Sequence, residues 1–177
     1  SAGGLERVLE LNKRIWHSSE LDQKASKLLK DIEKGIRQFG VVKSKTGEEI
    51  YAYEVDGKGN VLSDFDDANV PSLLSIPLLG WTRYDRKIYE NTRKRLLSPD
   101  DNEYYFKGKL LQGIGSPHTP MKYVWPMAFA IEALTTNGSS EEIANAMAFQ
   151  IRQSLHSACH YGTHGGESVC YVHLRNL

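Results

Sequence analysis

The sequence lacks an excess of charge of either sign, has only two cysteines, and contains no long apolar run. Its 22 Lys and Arg residues balance 22 Asp and Glu residues, so the chain has no general attraction to nucleic acid or to anionic lipid. No apolar run approaches the roughly 18 residues of a membrane-spanning helix, and Ser1–Gly4 does not read as a signal peptide. Cys159 and Cys170 match no zinc spacing. We therefore expect neither a nucleic-acid-binding protein nor a membrane segment in this chain.

The remaining composition favours a globular, mainly helical domain. The chain has 177 residues and is 40% hydrophobic, which is enough for one buried core. One apolar stripe at helical spacing predicts a helix over residues 4–17, and a second predicts a helix that begins near Ser19 and ends at Gly40. Further helical periodicity is found over residues 83–97, 123–136 and 140–156.

A β interlude interrupts this helical pattern. Residues 50–62 combine β-branched and aromatic side chains with a central DGKGN turn, so a small β-hairpin is predicted there. Pro71 suits the first turn of a buried helix over about residues 69–79, which Pro77 should kink or end. Residues 108–122 are dense in Gly and Pro and predict a structured loop.

Three carboxylates lie close together at Asp64, Asp66 and Asp67, followed by Asn69. Like charges at this spacing repel one another unless cations, N–H donors or a ligand compensate them. One interpretation is that Asp67 or Asn69 simply caps the following helix. The other is that the cluster opens into a cleft, where carboxylates can hold sugar hydroxyls or a metal ion. On this second interpretation, Asp66, Asp67 and Asn69 are candidate hydroxyl contacts.

Two metal-dependent motifs can be compared with the acidic cluster. A calcium-binding EF-hand loop counted from Asp56 has Val61 where glycine is required and Asp67 where glutamate is required, so no such loop is predicted. The string Asp64-Phe65-Asp66-Asp67 fits the Asp-x-Asp-Asp pattern of helical terpene cyclases. A metal- or diphosphate-dependent cyclase therefore stands as a rival interpretation.

The second candidate site is the loop GIGSPHTP, which has His118 near its tip. Two glycines and two prolines fix an unusual backbone path, and the aromatic residues Tyr123 and Trp125 follow closely. Sugar-binding clefts combine aromatic faces, which cover the apolar C–H side of the ring, with polar tips that satisfy the hydroxyls. His118 and Trp125 are therefore candidate sugar-binding residues, with a purely structural histidine as the alternative.

A third group contains His156, His160 and His164. Residues four apart share a helical face, so a metal site is conceivable. Glycines at 162, 165 and 166 break any helix there, and an irregular tail is the favoured interpretation. No metal ligand is assigned.

Three motifs in sequence order resemble one family. They read YAYEVDGKGNVLSDFDDANVPSLLSIPLLGW over residues 51–81, GIGSPHTP over 113–120 and VWPMAFAIEALT over 124–135. Together they closely resemble glycoside hydrolase family 125, the exo-acting α-1,6-mannosidases that include fungal proteins named for meiotic up-regulation. The resemblance implies a mainly α fold, part of an (α/α)6 toroid of helical hairpins with one small β-hairpin. It also implies an inverting enzyme that needs no metal or other cofactor and removes terminal α-mannose from a mannose-containing oligosaccharide.

The resemblance further implies where the two catalytic carboxyl groups belong. An inverting glycosidase holds them roughly 6.5–9.5 Å apart, leaving room for the attacking water. The family's acid lies in an Arg-Pro-Ser-Asp-Asp-type motif, which does not occur before Tyr51, so the general acid is not expected in this chain. The base lies in a Gly-Thr-Gly-Leu-Met-His-Glu-Ser-type motif. The corresponding stretch here reads GTHGGESV, a poor match that nevertheless makes Glu167 the candidate general base.

Full family members are much longer than this chain. Residues 1–177 are therefore expected to form a single partial domain, the central to C-terminal part of the toroid, with residues 157–177 as a divergent tail. A partial toroid leaves helical faces unburied, which predicts a missing upstream segment or a homo-oligomer. Without the acid, the chain alone should hydrolyse little, and a non-catalytic carbohydrate-binding remnant is the alternative. A mannosidase fits the secretory pathway or the cell exterior, but the sequence does not decide the compartment.

Overall fold

A computed structural model gives the fold of the chain. It describes residues 1–63, 66, 70–108, 112–136, 138, 140, 143, 144, 147, 160–164 and 167–173, with only the backbone in the last two stretches. The chain forms two compact units. Residues 1–63 and 75–92 make up the N-terminal unit, and residues 64–74 and 93–177 make up the C-terminal unit. Most of the helix predicted over residues 140–156 lies outside the described residues.

Helices dominate the described part of the chain. The α-helices are α1 (Ala2–Leu11), α2 (Ser19–Gly35), α3 (Arg86–Leu96) and α4 (Pro126–Leu134). α1 and α2 each continue into a π-helical turn, Asn12–Trp16 and Ile36–Gly40, and a 3-10 helix spans Ile76–Leu78. No helix among the described residues is long and apolar enough to cross a membrane.

All strand pairing in the described residues is antiparallel, and more extensive than the single hairpin predicted. β1 pairs with β2, β3 with β4 and β5 with β6, while β9 lies between β7 and β8. The predicted DGKGN turn joins β3 to β4. The strands are β1 (Val41–Lys43), β2 (Glu49–Tyr51), β3 (Glu54–Val55), β4 (Val61–Leu62), β5 (Tyr105–Lys107), β6 (Gln112–Ile114), β7 (Tyr123–Val124), β8 (His160–His164) and β9 (Glu167–His173).

The N-terminal unit is built on a helical hairpin of α1 and α2. The Ser18 hydroxyl, rather than that of Ser19, caps α2 by accepting a hydrogen bond from the Leu21 N–H at 3.2 Å. The side chain of Asn12 is buried and bonds both the N–H and the C=O of Ser18. This fixes the turn between the helices. The two predicted helices are confirmed, with ends within a few residues of the prediction.

The C-terminal unit has one main hydrophobic cluster. The β5–β6 hairpin and α4 contribute most of its members, and the end of α3 closes it. The buried residues are Leu74, Leu96, Tyr105, Ile114, Trp125, Ala128 and Ile131. Because the cluster joins segments distant in sequence, it fixes the loops between β5, β6 and α4 relative to one another.

One predicted element is wrong, and two others differ from the prediction in detail. Where a helix is predicted over residues 69–79, the described residues 70–79 form a loop and a short 3-10 helix, since the N–H groups of Leu73 and Leu74 bond a side chain rather than helical carbonyls. The helix over 123–136 begins only at Pro126, after β7. The tail, predicted to be irregular, contains the antiparallel β8–β9 pair.

Candidate functional site

The loop that carries His118 is anchored by close backbone packing in the C-terminal unit. Gly115 donates its N–H to the Tyr104 carbonyl at 2.7 Å. A Cβ added at Gly115 would lie 2.4 Å from the Tyr123 carbonyl oxygen and 2.6 Å from the Phe106 ring. A side chain at this position would therefore collide with the neighbouring backbone. Glycine is required at position 115 because β7 and β5 come this close to its Cα.

The tip of the His118 loop is held by a local hydrogen-bond network. Ser116 is buried, and its hydroxyl accepts the His118 N–H at 3.1 Å. Its carbonyl accepts both the N–H and the hydroxyl of Thr119, at 3.2 and 3.1 Å. His118 itself is exposed. The predicted structured loop is thus observed, with the histidine presented to solvent on a constrained backbone.

Trp125 lies directly after β7 and is part of the hydrophobic cluster. Its N–H donates to the Ile114 carbonyl at 3.1 Å, which joins it to the base of the His118 loop. The side chain is only 8% exposed, and its buried indole Nε1 has no hydrogen-bond partner among the residues that the structure describes. Trp125 is therefore packed into the hydrophobic cluster at the base of the His118 loop, and its ring face is not exposed. We call this buried side chain the Trp125 wall.

Asp66 is the described member of the acidic cluster. It is fully buried, and its Oδ1 and Oδ2 accept the N–H groups of Leu73 and Leu74, each at 3.0 Å. The Asp66 carboxylate thus bonds two backbone N–H groups of a loop. Asp67 and Asn69, and with them Asp64, lie outside the described residues.

The Asp66 segment and the Trp125 wall belong to the same packed structure. Leu74 donates its N–H to Asp66, and its side chain, 2% exposed, lies in the same cluster as Trp125. Asp66, His118 and Trp125 therefore all lie in the C-terminal unit. Leu74 bonds Asp66 and shares a hydrophobic cluster with Trp125. Trp125 in turn bonds Ile114, four residues before His118.

Glu167 is the first residue of β9, where it is paired with His164. Further along β9, Val172 pairs with Val124, the residue before Trp125. The strand thus leads from the candidate base toward the Trp125 wall, over about 17 Å at about 3.3 Å per residue. His160 and His164 lie on one strand and not on a helix, so the helical spacing that made a metal site conceivable does not exist there. His156 lies outside the described residues.

A buried carboxylate network in the N-terminal unit was not predicted. Glu33 on α2 accepts hydrogen bonds from the Trp81 indole and the Arg83 guanidinium, both at 3.3 Å. Glu6 on α1 accepts the N–H and hydroxyl of Thr82, at 3.0 and 2.7 Å. The two glutamates fasten residues 81–83 to the helical hairpin. Glu33 follows the buried Leu29 by one helical turn, which was a sequence signal that it faces inward.

The same unit holds a buried tyrosine and an open surface depression. Burial raises the pKa of the Tyr51 hydroxyl, which accepts the Asp85 N–H at 2.9 Å. A depression of about 740 Å³ lies at the turn between α1 and α2, lined in part by Asn12, His17 and Asp22. None of the predicted site residues lines it. In the part of the chain whose side chains are described, no three His, Cys, Asp or Glu side chains are grouped as a metal site.

Comparison with known proteins gives consistent matches. The model of a family described as metal-independent alpha-mannosidase (GH125) matches residues 2–165, so Glu167 lies just beyond the matched range. The meiotically up-regulated gene 157 protein of Schizosaccharomyces pombe is 46% identical over 133 residues, which is 74% of this chain and 26% of that protein. The chain thus spans about a quarter of this curated relative.

A solved structure matches almost the whole chain. It is a metal-independent α-mannosidase of Streptococcus pneumoniae in a non-productive complex with α-1,6-mannobiose, with a TM-score of 0.81 and 32% identity. The match covers 96% of this chain and 38% of that one. It confirms the predicted fold class, a mainly helical part of an (α/α)6 toroid. The family match over residues 2–165, the fungal relative and this structural match together show that the chain belongs to glycoside hydrolase family GH125.

Proposed function

We propose that the protein acts in the hydrolysis of terminal α-linked mannose, as an inverting exo-α-1,6-mannosidase with a mannose-containing oligosaccharide as substrate. The observation that carries this proposal is the constrained His118 loop, seated on the Trp125 wall in a chain that belongs to GH125. The bacterial neighbour bound to α-1,6-mannobiose supports the choice of substrate class. This support comes from the similarity of the two proteins in fold and in sequence.

The proposed sugar contacts come from two segments of the C-terminal unit. His118, exposed at the loop tip, supplies a polar contact, and Trp125 shapes the pocket beneath it. Asp67 and Asn69 supply acceptors and a donor for hydroxyls, next to the buried Asp66. Such a combination of carboxylate, amide and aromatic groups would match the alternating polar and apolar faces of a hexose.

Hydrolysis with inversion needs a carboxylic acid to protonate the leaving oxygen and a carboxylate to activate water. We assign the base to Glu167 and place the acid outside this chain. With one of the two groups missing, the chain alone should release mannose very slowly or not at all. We further propose that residues 1–177 form one partial domain, ending in a divergent tail, which an upstream segment or a second copy completes.

The test is a hybrid in which residues 1–177 of this chain, including Glu167, replace the corresponding stretch of the S. pombe relative. The hybrid should release mannose from α-1,6-mannobiose, initially as the β-anomer in a proton NMR time course, because inversion converts the α-linkage. Glu167→Gln should abolish release. Activity should persist in EDTA. Loss of activity in EDTA would favour the rival cyclase chemistry, and rapid release by the chain alone would show that the acid has been misplaced.

A non-catalytic carbohydrate-binding protein is the second candidate. The position of Glu167 beyond the family match favours it, because the base is then the least supported assignment. It predicts mannobiose binding without turnover in the hybrid, whatever residue stands at 167. Turnover that depends on Glu167 would exclude it.

A further inference from the structure

The His118 loop contains a lysine in the left-handed region of backbone conformation. Lys122 has a φ of 69°, and residues other than glycine adopt such values in only a few per cent of cases. Among the described residues, His17 is the other non-glycine residue with a positive φ. A side chain in this conformation costs free energy that glycine would avoid. The loop therefore has a lysine where glycine would suit the backbone better.

The turn that contains Lys122 is closed by a backbone hydrogen bond. The N–H of Tyr123 donates to the Pro120 carbonyl at 3.2 Å, so Met121 and Lys122 are the two central residues of the turn. A positive φ at the second central residue is characteristic of a type II turn, where glycine or asparagine is usual. The turn alone thus gives no reason for a lysine at this position.

Lys122 and His118 lie on the same short loop, whose ends meet. A Cβ added at Gly115 would lie 2.4 Å from the Tyr123 carbonyl oxygen, so the backbone is in close contact on the two sides of residues 116–122. These residues form two successive turns, of which the first contains His118 and the second Lys122. The Cα atoms of the two residues are at most about 14 Å apart, the length of four fully extended residues. Both residues are exposed, so one compact loop presents both to solvent.

We propose that Lys122 is a further sugar-contact residue, which binds the α-mannoside beside His118. Its ammonium group has three N–H donors and no acceptor, and the hydroxyl oxygens of mannose are acceptors for such donors. The inference rests on the proposed function, which places His118 at the sugar. It also explains the lysine in a position that favours glycine, because strained backbone conformations cluster at ligand sites, where the strain is part of the binding mechanism.

The test compares variants of residue 122 by NMR titration of the uniformly ¹⁵N-labelled chain with α-1,6-mannobiose. Lys122→Gly removes the ammonium and suits the backbone. We expect its Kd to rise about tenfold, equivalent to about 1.4 kcal/mol, without a fall in the melting temperature. Lys122→Met keeps an unbranched side chain but has no N–H donor, and should raise Kd by a similar factor. Lys122→Arg keeps a cation with N–H donors and should leave Kd close to that of the unsubstituted chain.

His17→Gly is the matched control for Lys122→Gly. His17 is exposed and has a φ of 52° at the end of the π-helical turn that follows α1. The same substitution therefore relieves the same kind of strain, but in the N-terminal unit. It should not lower the melting temperature, and it should leave Kd unchanged. Thermal unfolding of each variant defines a temperature at which all are folded, and Kd is measured there. A purely structural role of Lys122 would change the melting temperature without changing this Kd.

The outcomes distinguish this inference from the proposed function. Weaker binding by folded Lys122→Gly and Lys122→Met, with Lys122→Arg and His17→Gly unchanged, supports the sugar contact. If the first two variants bind mannobiose with the Kd of the unsubstituted chain, the contact is overturned and the proposed function remains intact. Absence of any mannobiose binding by the unsubstituted chain overturns both.

Discussion

Gly115→Ala should destabilise the protein by forcing the His118 loop off its support. The added Cβ would lie 2.4 Å from the Tyr123 carbonyl oxygen, whereas ordinary contact begins near 3.4 Å. The obstacle is backbone and cannot rotate away. Overpacking of this kind costs about 1–3 kcal/mol, which for a chain of this size lowers the melting temperature by about 2–12 °C. Circular dichroism during thermal and urea unfolding measures both quantities.

Gly35→Ala is the matched control for this substitution. Gly35 ends α2 in helical conformation, with φ −60° and ψ −44°, and a Cβ there meets nothing within 4 Å. The same change should therefore stabilise the protein by about 0.4–1 kcal/mol, because alanine has less freedom to lose on folding. A lower free energy of unfolding for Gly115→Ala together with a higher one for Gly35→Ala would support the packing argument. A Gly115→Ala protein as stable as the unsubstituted chain would refute it.

Three further predictions concern the N-terminal unit. Glu33→Gln keeps an acceptor for the Trp81 indole but loses the ion pair with half-exposed Arg83, so urea unfolding should show a loss of about 0.5–1 kcal/mol; an increase in stability would contradict this. Thr92→Val leaves the buried Tyr51 N–H without its 2.8 Å acceptor, and should cost about 1–3 kcal/mol in the same assay; Thr92→Ser keeps that acceptor, loses only one buried methyl group and should cost less. Burial raises the pKa of Tyr51 in the folded protein. The neutral Tyr51 hydroxyl therefore contributes its full stabilisation below the ordinary tyrosine pKa, and this stabilisation is lost as the pH rises through the pKa of the folded state. Tyr51→Phe should therefore flatten the alkaline fall in unfolding free energy, and an unchanged slope would argue against this assignment.

The helical hairpin and the His118 loop were largely predictable because their signals are local. The apolar stripes of α1 and α2 lie within single helices, and Gly40 marks the observed end of the second. The Gly and Pro residues around His118 directly restrict the backbone. What the sequence did not indicate was that Gly115 is required for close packing against Tyr123, since that contact depends on tertiary structure.

The less predictable features depend on partners remote in sequence. The pattern at residues 69–79 suits a helix, but Asp66 takes the N–H groups of residues seven and eight positions away. Glu33 resembles an ordinary polar residue of an amphipathic helix. Its partners, Trp81 and Arg83, are 48 and 50 residues along the chain. In both cases a carboxylate accepts hydrogen bonds from donors that no local periodicity reveals.

Mapping of ligand contacts tests whether this chain carries part of an α-mannoside site next to Trp125. α-1,6-Mannobiose is titrated into the ¹⁵N-labelled, unsubstituted chain, with α-1,4-glucobiose as the control sugar. We expect saturable shifts in the His118 loop, at the Trp125 indole N–H and around Leu73 and Leu74. No saturable shifts, or equal shifts with both sugars, would contradict it.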